Sequence, residues 1–225
     1  GRRGARRPPP GARRAMWSRH DELWDAVGAR DAAQVARLIA ARCDVNMVCP
    51  DGWVRSEMAG KRGTGRSLLH HAAWAGSLDV FRRLVAARAD VGRRRTTAWR
   101  PNGGVAGRGP QALHYAAMYN RKDIIEFLLH ECKVDVDEPG EQGFTPLHLA
   151  VKFNYPALVE FLLERGARTD LITKGEETAR DLALGKKDRS HKQMDGMLEL
   201  FERFDRGGAA RARPLPLAPR PEWRP

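Results

Sequence analysis

Three histidines, His70, His114 and His148, raise the first question about chemistry, because imidazole titrates near neutrality, relays protons and binds metals. They lie 44 and 34 residues apart, and each sits in a recurring run. The runs are Ser67-Leu68-Leu69-His70-His71-Ala72-Ala73, Gln111-Ala112-Leu113-His114-Tyr115-Ala116-Ala117 and Thr145-Pro146-Leu147-His148-Leu149-Ala150-Val151. A degraded copy, Thr178-Ala179-Arg180-Asp181-Leu182-Ala183, follows with Asp181 33 residues after His148. A histidine repeated with its surroundings marks the fold rather than a reaction. His70 and His71 are neighbours, and neighbours on a helix point different ways. Cys43 and Cys49 enclose five residues and have no matching second pair, which is not zinc-finger spacing. No nucleophile elbow, phosphate loop or H-E-x-x-H pair is present. The sequence predicts no catalytic residue, no metal, no cofactor, no small-molecule substrate and no enzyme.

The runs must then be explained as structure. Each reads as the start of a helix: Ser67, Thr145 and Thr178 are good N-caps, Gln111 a poorer one, and Pro146 fits the first helical position. Gly76, Asn120 and Asn154 stand where the first helix stops, because Gly and Asn tolerate a left-handed backbone. Apolar pairs four apart follow: Val80-Phe81 with Leu84-Val85, Ile124-Ile125 with Leu128-Leu129, Leu158-Val159 with Leu162-Leu163. That is one buried stripe on a second helix. A period near 33 residues predicts stacked helical units that cannot bury their apolar faces alone. An earlier unit is found by offset: Ala41-Arg42-Cys43-Asp44-Val45 matches Ala87-Arg88-Ala89-Asp90-Val91 46 residues on, and Trp24 falls at the histidine position.

The whole resembles the ankyrin repeat, with Gly143-Phe144-Thr145-Pro146-Leu147-His148-Leu149-Ala150 close to that family's pattern. The resemblance covers Glu22 to Phe204 in five units, two of them atypical caps. It implies an all-α repeat solenoid of stacked helix-turn-helix units with short β-hairpin fingers. It also implies structural histidines whose rings bond the backbone of the adjacent turn. Leu68 and Ala112 replace the motif proline, Asp181 the last histidine, and Cys132-Lys133 adds a residue where Gly-Ala is expected.

The first two intervals exceed the period, leaving inserts within Asn46 to Thr64 and Gly92 to Arg108, where the family places its fingers. Gly92 to Arg108 holds five Arg and no acid. Inserts on one edge of a repeat array often belong to its binding face. The resemblance also places the residues after the paired alanines on the concave side: Trp74, then Met118 and Tyr119, then Lys152 and Phe153. An aromatic ridge of that kind suits a protein partner. The inserts add Trp53 with Arg55 and Trp99 with Arg100. Arg93, Arg94 and Arg95 suit an anionic partner, nucleic acid or an acidic surface.

The net charge of +12 is concentrated at the ends. Residues 1–19 form a basic Arg/Pro-rich tail carrying +7, residues 206–225 another carrying +4, and the repeat array of residues 20–205 is nearly neutral. Arg213, Pro216 and Pro219 fit the R-x-x-P-x-x-P pattern of polyproline ligands. Three cysteines, an odd and sparse set, indicate a reducing, intracellular compartment, cytoplasmic first, with nuclear or organellar alternatives. No apolar run is long enough to span a bilayer. The sequence therefore predicts a non-enzymatic scaffold or adaptor gripping a protein through the ridge and fingers. The alternative is a structural subunit of a large, for instance ribonucleoprotein, assembly held by its tails.

Overall fold

The structure, a computed structural model, describes residues 10–48, 65–94, 109–186 and 191–208. Among the described residues, ten α-helices follow in pairs: α1 Pro10–Gly28 with α2 Ala32–Ala40, α3 Leu68–Ala75 with α4 Leu78–Ala86, and α5 Ala112–Met118 with α6 Lys122–His130. The last two pairs are α7 Pro146–Lys152 with α8 Pro156–Glu164, and α9 Ala179–Lys186 with α10 His191–Gly208. The chain divides into two compact units. The first runs to Asp135 and includes Pro139–Gln142; the second comprises Val136–Glu138 and the chain from Gly143 onward.

Two left-handed residues punctuate each of the first four helix pairs. Arg30 (φ 61°), Gly76 (78°), Asn120 (54°) and Asn154 (60°) separate the helices of a pair. Arg42 (60°), Arg88 (64°), Lys133 (53°) and Gly166 (85°) close the second helix of each. A left-handed residue at a helix end lets the next amide reach back to an orphan carbonyl. Ala89 N–H, for example, bonds Leu84 O at 3.0 Å.

In the first unit the first helices α1, α3 and α5 form one layer and the second helices α2, α4 and α6 another. Ala72, Ala73, Ala116 and Ala117 are fully buried between first helices, which small side chains allow to approach closely. The predicted apolar pairs fill the space between layers, with Val80, Phe81, Leu84, Ile124, Ile125 and Leu128 buried. Register between repeats is set by polar ties. The Asn46 amide donates to Arg88 O (3.2 Å) and accepts from Asp90 N–H (2.7 Å). Gly92 holds the corresponding position one repeat on and has no side chain to do this. There Arg94 donates to Gly109 O (3.3 Å) and Pro139 O (2.9 Å) instead.

In the second unit α7 packs on α9 and α8 on α10, with Leu158, Val159, Leu162, Met197 and Phe201 buried. Asp137 accepts from Arg168 N–H at 3.0 Å, the same tie that Asn46 makes. Asp181 takes over part of the histidine's work. Its carboxylate accepts from Thr178 N–H (2.9 Å) and Thr178 Oγ1–H (2.6 Å), while Asp181 N–H bonds back to Thr178 Oγ1 (3.1 Å). These bonds hold the Asp181 carboxyl below its ordinary range. A carboxylate can close this cap but has no second nitrogen to donate onward. Ion pairs dress the surface here: Arg180 with Asp205 and Glu202, and Arg203 with Glu160.

Most of the two inserts expected to form β-hairpin fingers, residues 49–64 and 95–108, lies outside the described residues; among the described residues two isolated antiparallel bridges are seen, Val48 with Ser67 and Ile172 with Thr178. The second closes a tight turn in which Thr173 Oγ1 accepts from Gly175 N–H and Glu177 N–H. No helix among the described residues is long and apolar enough to cross a membrane.

Candidate functional site

The histidines act as hinges between turn and helix. Ser67 N–H donates to His70 Nδ1 (3.0 Å), which places the ring proton on Nε2, and Nε2–H donates to Pro110 O (2.9 Å). One buried ring thus satisfies the backbone of its own cap and of the turn entering the next repeat. His114 Nδ1 accepts from Gln111 N–H (3.1 Å), and its ring lies against Gly140, where an added Cβ would come within 2.5 Å. That contact explains the glycine.

His148 accepts from Thr145 N–H (3.3 Å), and its Nε2 is buried without a bonded partner. Burial pushes His148 below the ordinary imidazole range, while the backbone of Leu171 and Glu177 opposes that shift from outside hydrogen-bonding geometry. These rings serve the cap geometry of their own repeats. Among the described residues no three His, Cys, Asp or Glu side chains gather to hold an ion.

The two described thiols are equally quiet. Burial raises Cys43, and burial with Glu131 nearby raises Cys132 to about 11, so both remain protonated rather than nucleophilic at neutral pH.

Half-buried rings line the first-helix layer of the first unit. His71 lies between two tryptophans: its ring is 4.6 Å from Trp24 at 14° and 5.3 Å from Trp74 at 15°. Tyr119 meets Trp74 edge to face at 6.4 Å and 89°. Three repeats thus contribute one continuous row, Trp24–His71–Trp74–Tyr119. Gly28 makes room for it, since a Cβ there would come within 2.8 Å of His71 Nε2. Burial, then the nearby Arg66, lowers His71 to about 4, so the row carries no imidazolium at neutral pH. The Arg66 guanidinium lies 5.2 Å over the Tyr115 ring. Arg121 donates to Trp74 O (3.3 Å) and its side chain covers Gly76. All four rings of the row are half-buried.

The predicted site residues fall into three groups. Trp74 and Tyr119 are brought into contact, and Met118 stands beside them at the end of α5. In the second unit Lys152 is exposed with Nζ 4.5 Å from the Phe144 ring centroid, and Phe153, 40% exposed, stacks on Tyr155. Arg93 and Arg94 give guanidinium N–H groups to backbone carbonyls, Arg93 to Asn46 O at 2.9 Å. They therefore bind one turn to another within the chain. Arg95, Trp53, Arg55, Trp99, Arg100, Arg213, Pro216 and Pro219 lie outside the described residues. The sequence analysis did not join Trp24 and His71 to the row in which they stack. The available signal was the i, i+3 spacing of His71 and Trp74, which puts both on one helix face.

Within each unit, helices paired by short turns, with histidines bonded at three of the caps and side-chain ties between turns, define a helical repeat protein. A family model for ankyrin repeats, in three copies, matches residues 69–173. Residues 69–173 are ankyrin repeats.

The chain is 35% identical over 85 residues to alpha-latrocrustotoxin-Lt1a of Latrodectus tredecimguttatus, covering 37% of this chain and 6% of that protein. A putative ankyrin repeat protein of Fowlpox virus is 40% identical over 63 residues, 28% of this chain and 14% of that one. The NF-kappa-B inhibitor cactus of Drosophila melanogaster is 34% identical over 106 residues, 47% of this chain and 19% of that one. The chain therefore spans less than one fifth of each of these curated relatives. Ankyrin repeats generally mediate protein–protein interactions, and the family is typically non-enzymatic.

Proposed function

We propose that this chain is a non-enzymatic scaffold that binds a protein partner through the aromatic row of its first unit, Trp24, Trp74, Met118 and Tyr119, with His71 as the packed centre. The observation that carries the reading is the stack itself. Large rings from three repeats lie half-buried along one helix layer, already stacked on one another. Pre-ordered aromatics offer much contact area at small entropic cost. Phe153 and Lys152 offer a further contact in the second unit. The family's general role supports the reading, as does the relative named as an NF-kappa-B inhibitor.

The nucleic-acid alternative draws less support. The described arginines of the second finger, Arg93 and Arg94, hold backbone carbonyls.

The test is capture of partners on the immobilised chain before and after nuclease treatment, with Trp74→Ala and Phe153→Ala as variants. Protein capture is expected to survive nuclease and to fall at least tenfold with Trp74→Ala. Removing half of a buried tryptophan's packing is expected to cost about 2 kcal/mol of stability, which leaves the chain folded. Undiminished capture by a folded Trp74→Ala chain would remove the aromatic row from the interface. Loss of all capture on nuclease treatment would replace the protein partner with nucleic acid.

A further inference from the structure

We infer that α9, the first helix of the last pair, carries a self-association face on which a second copy of this chain seats its own α9 about a two-fold axis. The face is separate from the aromatic row, and its support is what the repeat pattern leaves uncovered.

Each first helix has a side that faces the repeat after it. His70 donates from Nε2 to Pro110 O in the turn that enters the next repeat. Trp24, at the same position in α1, stacks on His71 of α3. Residues three places further on share that side. These include Val27, Ala73 and Val151, and all three are 0% exposed, with α3, α5 and α9 packed on the helices that carry them. Asp181 holds the histidine position in α9, so the matching residue there is Leu184, and it is 49% exposed. Glycines four places on repeat the contrast. At Gly28 a Cβ would strike His71 Nε2 of the next repeat at 2.8 Å, whereas at Gly185 a Cβ would meet nothing within 4 Å. What covers this side of α1, α3 and α7 is another helix of the same kind. Among the described residues no further repeat follows α9 and α10.

Leucine beside glycine suits a copy of itself. The side chain is a knob and the glycine a hollow, so a two-fold relation sets Leu184 of each copy over Gly185 of the other. That is the self-complementary contact such symmetry requires. Head-to-tail stacking is disfavoured. On α1 the position that faces a preceding repeat, held by His71 in α3, is Asp25, which is exposed. A copy arriving by that end would set a carboxylate on Leu184, and burying an unpaired charge is costly. One turn before Leu184, Arg180 makes exposed ion pairs with Glu202 and Asp205 of α10, a polar border for an apolar centre. One leucine and one glycine per copy make a small seat, so the association is weak, with Kd on the order of 100 µM.

The experiment is sedimentation velocity of the full chain under reducing conditions, from about 10 µM to about 1 mM, with Leu184→Glu and Gly185→Arg as variants. The unmodified chain should pass from monomer to dimer over that range and stop there, because a two-fold contact closes. Each variant should weaken the association at least tenfold. Gly185→Arg should leave the thermal melt unchanged or raised, since a Cβ there meets nothing within the monomer and glycine is a poor helix former. Trp74→Ala should leave the association unchanged, so failure of this face and failure of the aromatic row are told apart.

A chain that stays monomeric at about 1 mM would overturn the proposal, as would association that survives both variants. Assemblies that grow past the dimer would replace the two-fold contact with a head-to-tail one. Monomers that associate through Leu184 only after removal of residues 209–225 would assign the face to the chain's own C-terminal segment. A monomeric chain that loses a captured foreign protein with Gly185→Arg would assign it to that protein.

Discussion

Trp24 of α1 and His71 of α3 stack face to face, with ring centroids 4.6 Å apart and planes 14° from parallel. Forty-seven residues separate them in the chain. The contact depends on an absence: Gly28 occupies the place where a Cβ would strike His71 Nε2 at 2.8 Å. The atypical first repeat therefore supplies a tryptophan at its histidine position and a clear space one turn later. Together they turn the end of a helix layer into an aromatic row.

His71 should make stability depend on pH. Its folded value is about 4 against an ordinary 6.5, so the unfolded chain binds more protons between those limits. Stability should be fully present above pH 6.5, fall as pH drops toward 4, and level off below. The full effect is at most about 3 kcal/mol by linkage. Urea unfolding at pH 4 and pH 7 measures it, and His71→Phe should flatten the part that His71 contributes. An unchanged slope in that variant would clear His71 of the effect.

Gly28→Ala should push the His71 ring out of its stack. Overpacking of this kind costs about 1–3 kcal/mol, partly offset by the better helix propensity of alanine. The His71 ring protons, followed by NMR, should titrate closer to the ordinary value once the ring meets water. A folded variant with the same low titration would show that the neighbours of Gly28 can yield.

His70→Ala should be costly. It leaves Ser67 N–H and Pro110 O unbonded in the interior and opens a cavity at a fully buried site. The combined loss is about 3–5 kcal/mol from unsatisfied groups and lost packing. Thermal or denaturant melts decide it. A stable variant would mean that the ring does not tie the two turns together.

Arg88→Gly should stabilise the chain. Arg88 closes its repeat at φ 64°, a backbone that costs an L-residue about 1 kcal/mol and glycine almost nothing. Arg42, at φ 60° one repeat earlier, should respond in the same direction. A gain of about 0.5–1 kcal/mol in urea melts is the expected result. A loss would show that the exposed guanidinium does more than the backbone suffers.

Cys132 should resist alkylation. Its thiol is pushed up to about 11 by burial and by Glu131, so thiolate is scarce at pH 8. Native protein treated with iodoacetamide should stay unmodified at Cys132 by peptide mass mapping, and unfolded protein should react. Rapid native labelling would reveal local opening after α6.

The repeat fold was legible in the chain because periodicity is a local record of burial. The recurring caps, the alanine pairs and the apolar stripes each state which face of a short helix is covered. The left-handed stops at Gly76, Asn120 and Asn154 could likewise be read from residue type. Even the substitution of Asp181 for a histidine could be seen, although not that its carboxylate would close the same cap.

Tertiary packing alone decided which side chains meet across repeats. Alignment placed Trp24 at a histidine position and set His71 aside as a neighbour pointing elsewhere. It could not show one ring sliding over Gly28 to join them. Alignment also made Arg93 and Arg94 look available, whereas in the folded chain they reach carbonyls 45 or more residues away in sequence. Periodic burial is written into each repeat, but the rotamers and reach of long side chains depend on the shape of the neighbouring repeat, and that shape exists only after the repeats have stacked.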